Sequence, residues 1–252
     1  MIFHSGRKMS PLIKAEKRKL LTTRTAYGVL LGMLFLAGPG IVLGGEASVA
    51  ELSKPLHEQM WFFVVAGFTR LLVVVLGIRS VTDEFRHGTI VPSVLATPAR
   101  HRLMTAKAVT VGAAGLVLTV LAELVMVGVA GAFIPSKGAE LIVSAETVQA
   151  LVGMAIAGLL WAVIGVAIGA LVRHQIPAIV GSLLWLMPGG GIEELIRGRL
   201  GTLGYYLPGN EGLALALGGS EVAWWAGGIL ALYALGLMLA GSLVMRARDI
   251  AI

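Results

Sequence analysis

From Thr147 to Val172 the chain reads TVQALVGMAIAGLLWAVIGVAIGALV, 26 residues without one ionisable side chain. A helix of that length rises about 39 Å, more than the roughly 30 Å hydrocarbon core of a bilayer. Inside a bilayer no water satisfies backbone N–H and C=O groups, so a run of this kind has to be helical. Six segments qualify as spans, at 26–44, 58–79, 105–134, 147–172, 176–190 and 223–245. The fifth is short and ends in the breaker MPGGG. With 57% hydrophobic and 13% charged residues, the chain could not cover itself with a polar surface, since soluble domains are usually about 25% charged. It contains no cysteine, which excludes disulfides and thiolate metal sites.

The loops carry the orientation. Fifteen of the 20 Lys and Arg residues fall on one side of the expected spans, and nine of the 14 acids fall on the other. By the positive-inside rule both termini are expected in the cytoplasm, in agreement with an even number of spans. Residues 1–25 form a cytoplasmic segment in which Ser10-Pro11 signals a helix start. Leu12, Ile13, Leu20 and Leu21 can share one face, while Lys14, Lys17, Arg18 and Lys19 suit anionic headgroups. The reading is an amphipathic helix on the inner leaflet, or else a basic tail that only fixes topology. Residues 26–245 form the spanning domain and 246–252 a cytoplasmic tail. The loop 191–222 is read either as a re-entrant hairpin or as a surface loop with an interfacial helix.

Motifs for catalysis are missing from the sequence. It has no G-x-x-x-x-G-K-[ST] phosphate loop and no H-E-x-x-H, and its five histidines are scattered. The expectation is a chain that is not an enzyme and holds neither metal nor cofactor. Two ionisable residues lie within spans, Arg70 and Glu123, at expected depths of about 18 and 16 Å from the outer side. An isolated charge there costs at least about 2.5–3.5 kcal/mol, so the two are expected to pair. Such a pair could line a substrate path or be a structural bridge. Small-residue spacings such as Gly28/Gly32, Gly40/Gly44 and Gly165/Gly169 allow close helix approach.

The densest polar cluster is TDEFRHGTIVPSVLATPARHRL, residues 82–103, in a loop spanning 80–104. Ser80-x-x-Asp83 can cap a short extension of span two, which Gly88 would stop. Thr89 can cap a new short helix over 89–96, and Thr97-Pro98 would end it. A rigid helix between breakers, flanked by Glu84, Arg86, His87, Arg100, His101 and Arg102, reads as a surface presented to a soluble partner.

These residues resemble the span 2–3 loop of ABC-type exporter permeases of the type-2 family, in E-F-R-H-G-T followed by A-T-P-x-R-x-R-L and Lys107. IKAEKRKLLTTRTAYGVLL is similar to that family's N-terminal elbow helix, LVRHQIPAIVGSLLW to its span 4–5 turn, and MRARDI to its C-terminal end. The resemblance implies an all-α membrane protein: six transmembrane helices, a preceding amphipathic elbow helix, and a cytoplasmic coupling helix between spans 2 and 3. It implies that Glu84, Phe85, Arg86, His87, Gly88, Thr89 and Ile90, with Pro98, Arg100 and Arg102, meet an ATP-binding subunit. By the same resemblance ATP and Mg would bind that partner, and two permeases, expected as identical copies, would join two ATPases in a prokaryotic plasma membrane. A secondary transporter, or a membrane anchor or receptor for a soluble partner, is the alternative reading.

Overall fold

The computed structural model describes residues 9–37, 49–89, 100–187, 191–217 and 220–247. Among them the only regular structure is helical, with no strand. In order, the helices are α1 (Met9–Thr22), α2 (Arg24–Ala37), the single turn α3 (Val49–Leu52), α4 (Met60–Arg86) and α5 (Arg100–Ser136). There follow α6 (Ala145–Val172), α7 (Gln175–Leu186), α8 (Ile192–Leu200), α9 (Pro208–Leu217) and α10 (Ser220–Ala247).

Four of the described helices are long and apolar enough to cross a membrane, over Phe62–Arg86, His101–Ser136, Ala145–Val172 and Ala223–Met245. The first and fifth expected spans appear as shorter apolar helices, Ala26–Leu36 and Gln175–Leu186. Residues 38–44 of the first lie outside the described residues. The fifth was expected to reach 190 but stops at Leu186, and the cause is local. Met187 adopts φ −57, ψ 121, the extended conformation forced on a residue that precedes proline, here Pro188.

Helix α6 is the centre of the bundle and packs on α4, α5, α9 and α10. Its sequence explains why. Every third or fourth residue is Gly or Ala, and Gly153, Ala157, Gly158, Ala162, Gly165 and Gly169 are all buried. At the α4–α6 crossing, a Cβ added to Gly77 would lie 2.8 Å from Gly165 Cα, so the two backbones touch. Of the small-residue spacings in the sequence, Gly165/Gly169 is used in this contact. By contrast, nothing approaches the open side of Gly28 within 4 Å. Helix α6 starts at a capping box, in which Ser144 Oγ accepts from Thr147 N at 3.3 Å and Thr147 Oγ1 accepts from Ser144 N at 3.3 Å.

The outward faces are apolar. On α10, Trp224, Trp225, Leu232, Leu235, Leu239 and Leu243 are exposed, and on α7 so are Ile176, Val180 and Leu184. A patch this extensive is foreign to a monomer in water and natural for a surface facing lipid.

The Gly77–Gly165 contact yields a test. Gly77→Ala should force the α4 and α6 backbones apart and lower stability by about 1–3 kcal/mol, the usual range for overpacking. Thermal unfolding in detergent reads this out, with Gly28→Ala as the control that does not lower stability, since its Cβ meets open space and Ala favours the helix.

Candidate functional site: a buried ion cluster at the basic end

The stems of the 80–104 loop are the C-terminal turns of α4 and the N-terminal turns of α5, and α1 packs across them. Lys107 on α5 is 2% exposed. Its ammonium donates to Glu16 Oε2 at 2.6 Å, Glu84 Oε1 at 3.0 Å and the Ser80 carbonyl at 3.0 Å. Lys19 donates to Glu16 Oε1 at 2.9 Å and to Glu84 Oε1 at 2.8 Å. Two cations and two anions thus form one closed square across three helices. Three donors on an ammonium match three oxygens here, which makes a buried lysine tolerable.

Glu16 is 6% exposed and sits among lysines and arginines in the α1 sequence. Burial alone would raise its pKa, but Lys107 and then Lys19 outweigh this and hold it below the ordinary 4.5. Burial would likewise lower Lys19, yet hydrogen bonds to Glu84 and Glu16 raise it above 10.5. The signs agree on one window. The Glu16 contribution is complete above pH 4.5 and fades as the pH falls through its lowered value. The Lys19 contribution is complete below pH 10.5 and fades above it.

The other expected residues divide by position. Lys14, Lys17 and Arg18 are exposed on α1, with Leu12, Ile13 and Leu20 half-buried, while Leu21 is exposed. The inward face of α1 is therefore set by Glu16 as much as by its leucines. Helix α4 runs without a break to Arg86, so Ser80 does not cap a separate extension. Its hydroxyl donates back to the Gly77 carbonyl at 2.7 Å, a bond available inside a continuous helix. Gly88 does stop the helix, at φ 68, with its N–H donating to Phe85 O at 3.3 Å. Phe85 is half-buried beneath Arg173, whose Cζ is 5.4 Å from the ring centroid. Arg86, His87 and Thr89 are exposed, and His87 Nδ1 lies 2.7 Å from the Asp83 carbonyl. Arg100 opens α5 and Arg102 is half-buried. Ile90, Pro98 and most of the expected helix 89–96 lie outside the described residues.

The Arg70–Glu123 pair does not form. Arg70 donates through Nη1 to the Gly209 carbonyl at 2.7 Å and through Nη2 to the Leu186 carbonyl at 3.0 Å. Leu186 is the last residue of α7, where a carbonyl has no helical N–H ahead of it and the helix dipole is negative. A guanidinium beside that end has a partner already. Glu123 is 6% exposed, and its Oε1 has no hydrogen-bond partner. Glu193 holds the first turn of α9 from the other side, accepting from Gly209 N at 2.9 Å and Asn210 N at 2.6 Å. Arg197 Nη1 adds a bond to Asn210 Oδ1 at 3.0 Å. The segment after α7 therefore folds back, and the α9 N-terminus meets the middle of α4.

Sequence reasoning missed Glu16, Glu193 and the role of Lys107. The signal for Glu16 was present as the single acid inside KAEKRK, a residue that interrupts a face otherwise suited to anionic lipid.

No protein-family model matches the chain, and no curated protein matches it.

Two outcomes follow. Lys107→Ala leaves Glu16 and Glu84 facing each other, and breaking a buried pair in this way should cost about 3–5 kcal/mol in unfolding. Wild-type stability should fall as the pH drops below 4.5, and Glu16→Gln should flatten that acid limb. For the mid-bundle site, Arg70→Glu combined with Glu123→Arg should rescue neither single defect, as measured by folded yield in detergent.

Proposed function

We propose that this chain is the transmembrane permease subunit of an ATP-driven ABC exporter. The observation that carries the reading is the Glu16–Lys19–Glu84–Lys107 cluster. It ties both stems of the 90–99 segment to each other and to α1, so a force on that segment reaches α1, α4 and α5 together. A loop serving only to connect two spans has no need of such an anchor.

In this reading the chain crosses a prokaryotic plasma membrane six times, α2 and α7 being parts of the first and fifth spans. Both termini are cytoplasmic, α1 is the elbow helix at the inner surface, and residues 89–96 are the coupling helix. Two permease copies form the substrate pathway and two ATPases bind ATP and Mg below them. The α8–α9 segment enters from the outer side as a re-entrant hairpin. Support for that depth comes from Arg70, ten residues into α4, bonding the α9 first turn.

The experiment is purification of the tagged chain from its native membrane, with ATPase activity and its response to the permease as the readout. An ATP-binding subunit should copurify. Arg86→Ala with His87→Ala alters two exposed residues outside the ion cluster. It should reduce permease-dependent ATPase stimulation by about tenfold, the loss typical of a docking hot spot, with insertion unchanged. Full stimulation in that variant, or purification without any ATPase, would overturn the reading.

A further inference from the structure

The two cations and two anions at the basic end divide along the boundary between α1 and the bundle. Glu16 and Lys19, both on α1, are 2.9 Å apart. Glu84 on α4 and Lys107 on α5 are 3.0 Å apart, and Lys107 also donates to the Ser80 carbonyl at 3.0 Å. Two contacts cross the boundary, Lys107 to Glu16 at 2.6 Å and Lys19 to Glu84 at 2.8 Å. When those two part, each side keeps a neutral pair. Breaking a buried ion pair is costly chiefly because it leaves one charge uncompensated. Separation along this line leaves neither side in that condition.

The rest of α1 is suited to leaving. Of its 14 residues only Glu16 is buried, while Leu12, Ile13 and Leu20 are half-buried. Close-packed interiors hold few voids larger than a water molecule. Against α1, however, lies a half-open cavity of about 340 Å³, whose lining includes Leu20 of α1, Leu76 of α4 and Val111 of α5. Lipid chains are as apolar as leucine, so the three half-buried side chains lose little on passing from the bundle to the acyl boundary. The C-terminal carbonyls of α1 are satisfied locally. Thr22 Oγ1 donates to Lys19 O at 3.0 Å, Thr23 Oγ1 to Leu20 O at 2.7 Å, and Tyr27 Oη to Leu21 O at 3.1 Å. Thr23, the one non-helical residue between α1 and α2, is placed to act as the pivot.

We propose that α1 is a detachable arm, exchanging between the docked position and a released one in the headgroup layer, with anionic headgroups favouring release. Lys14, Lys17 and Arg18 are exposed while α1 is docked, whereas Lys19 is held by Glu16 and Glu84. Release therefore adds Lys19 to the cations that face lipid. The stems of the 80–104 loop stay joined in both positions through Glu84 and Lys107. The arm thus sets whether a movement of those stems is passed on to α1. The device needs a membrane surface and no ATPase, so failure to copurify an ATPase would leave it intact.

The chain contains no cysteine, so two introduced thiols are the only sites for spin labels. Ala15→Cys on α1 and Thr105→Cys on α5 alter exposed positions outside the ion cluster. Pulsed electron resonance on the full-length chain in lipid nanodiscs reads the distance between them. Two distance populations are expected. The ratio of the longer to the shorter should rise about fivefold from phosphatidylcholine alone to an equal mixture with phosphatidylglycerol, the gain from one further lysine at an anionic surface. Exchanging the α1 charges, Glu16→Lys with Lys19→Glu, keeps the net charge of the helix and sets like charges against Lys107 and Glu84. That variant should show the longer distance alone in both lipids. It should unfold close to the wild-type temperature, because Glu84 and Lys107 remain paired. A single short distance in both lipids, a ratio indifferent to anionic lipid, or loss of folded protein in the exchanged variant would overturn the proposal.

Discussion

Removing an ammonium from water costs several kcal/mol even after a protein has relaxed around it. Lys107 is nearly sealed from solvent, so the basic end of this bundle has to be arranged around it. Three oxygens from three places meet its three hydrogens: the Glu16 carboxylate, the Glu84 carboxylate and the Ser80 carbonyl. Two of these lie one turn apart on α4, which sets the rotation of that helix against α5. The third comes from α1 and sets where that helix crosses. With two carboxylates gathered for one lysine, Lys19 is needed to balance the charge. The amphipathic helix is thus held by a requirement created elsewhere in the chain.

The middle of the bundle solves a similar problem with backbone instead of side chains. Helix α7 ends early because Met187 precedes a proline, and its last carbonyl is left within the protein. Arg70 meets that carbonyl and the first turn of α9 together. Glu193 meets the amide end of the same turn. Helix ends inside a bundle leave backbone groups that need such partners, and here each end has a charge of the appropriate sign.

Much of the helical frame was legible in sequence because apolar run length is a one-dimensional property. The boundaries of α5, α6 and α10 fall within a few residues of those expected from hydropathy. The C-terminal stop at Gly88 was legible too, since a positive φ asks for glycine. What failed was pairing. Arg70 and Glu123 have matching depths, and depth is all that counting residues provides. Which side of a helix a charge faces, and whether a backbone carbonyl reaches it first, depends on a break at Met187 more than 100 residues away. Ser80 misled for a related reason, because the same hydroxyl can cap a helix start or bond backward inside one. The candidate cluster was half visible, through Lys19, Glu84 and Lys107. Glu16 was obscured by its basic neighbours.

Glu16 and Lys107 are 91 residues apart. Helices α2 and α4 lie between the two partners in sequence, so the contact joins parts of the chain that are made far apart in time. Without Lys107, Glu16 would have only Lys19 of its own helix as a partner. The place of α1 against the bundle is thus fixed by a residue that follows Glu16 by 91 positions, and its contact completes only once α4 and α5 stand in register with each other.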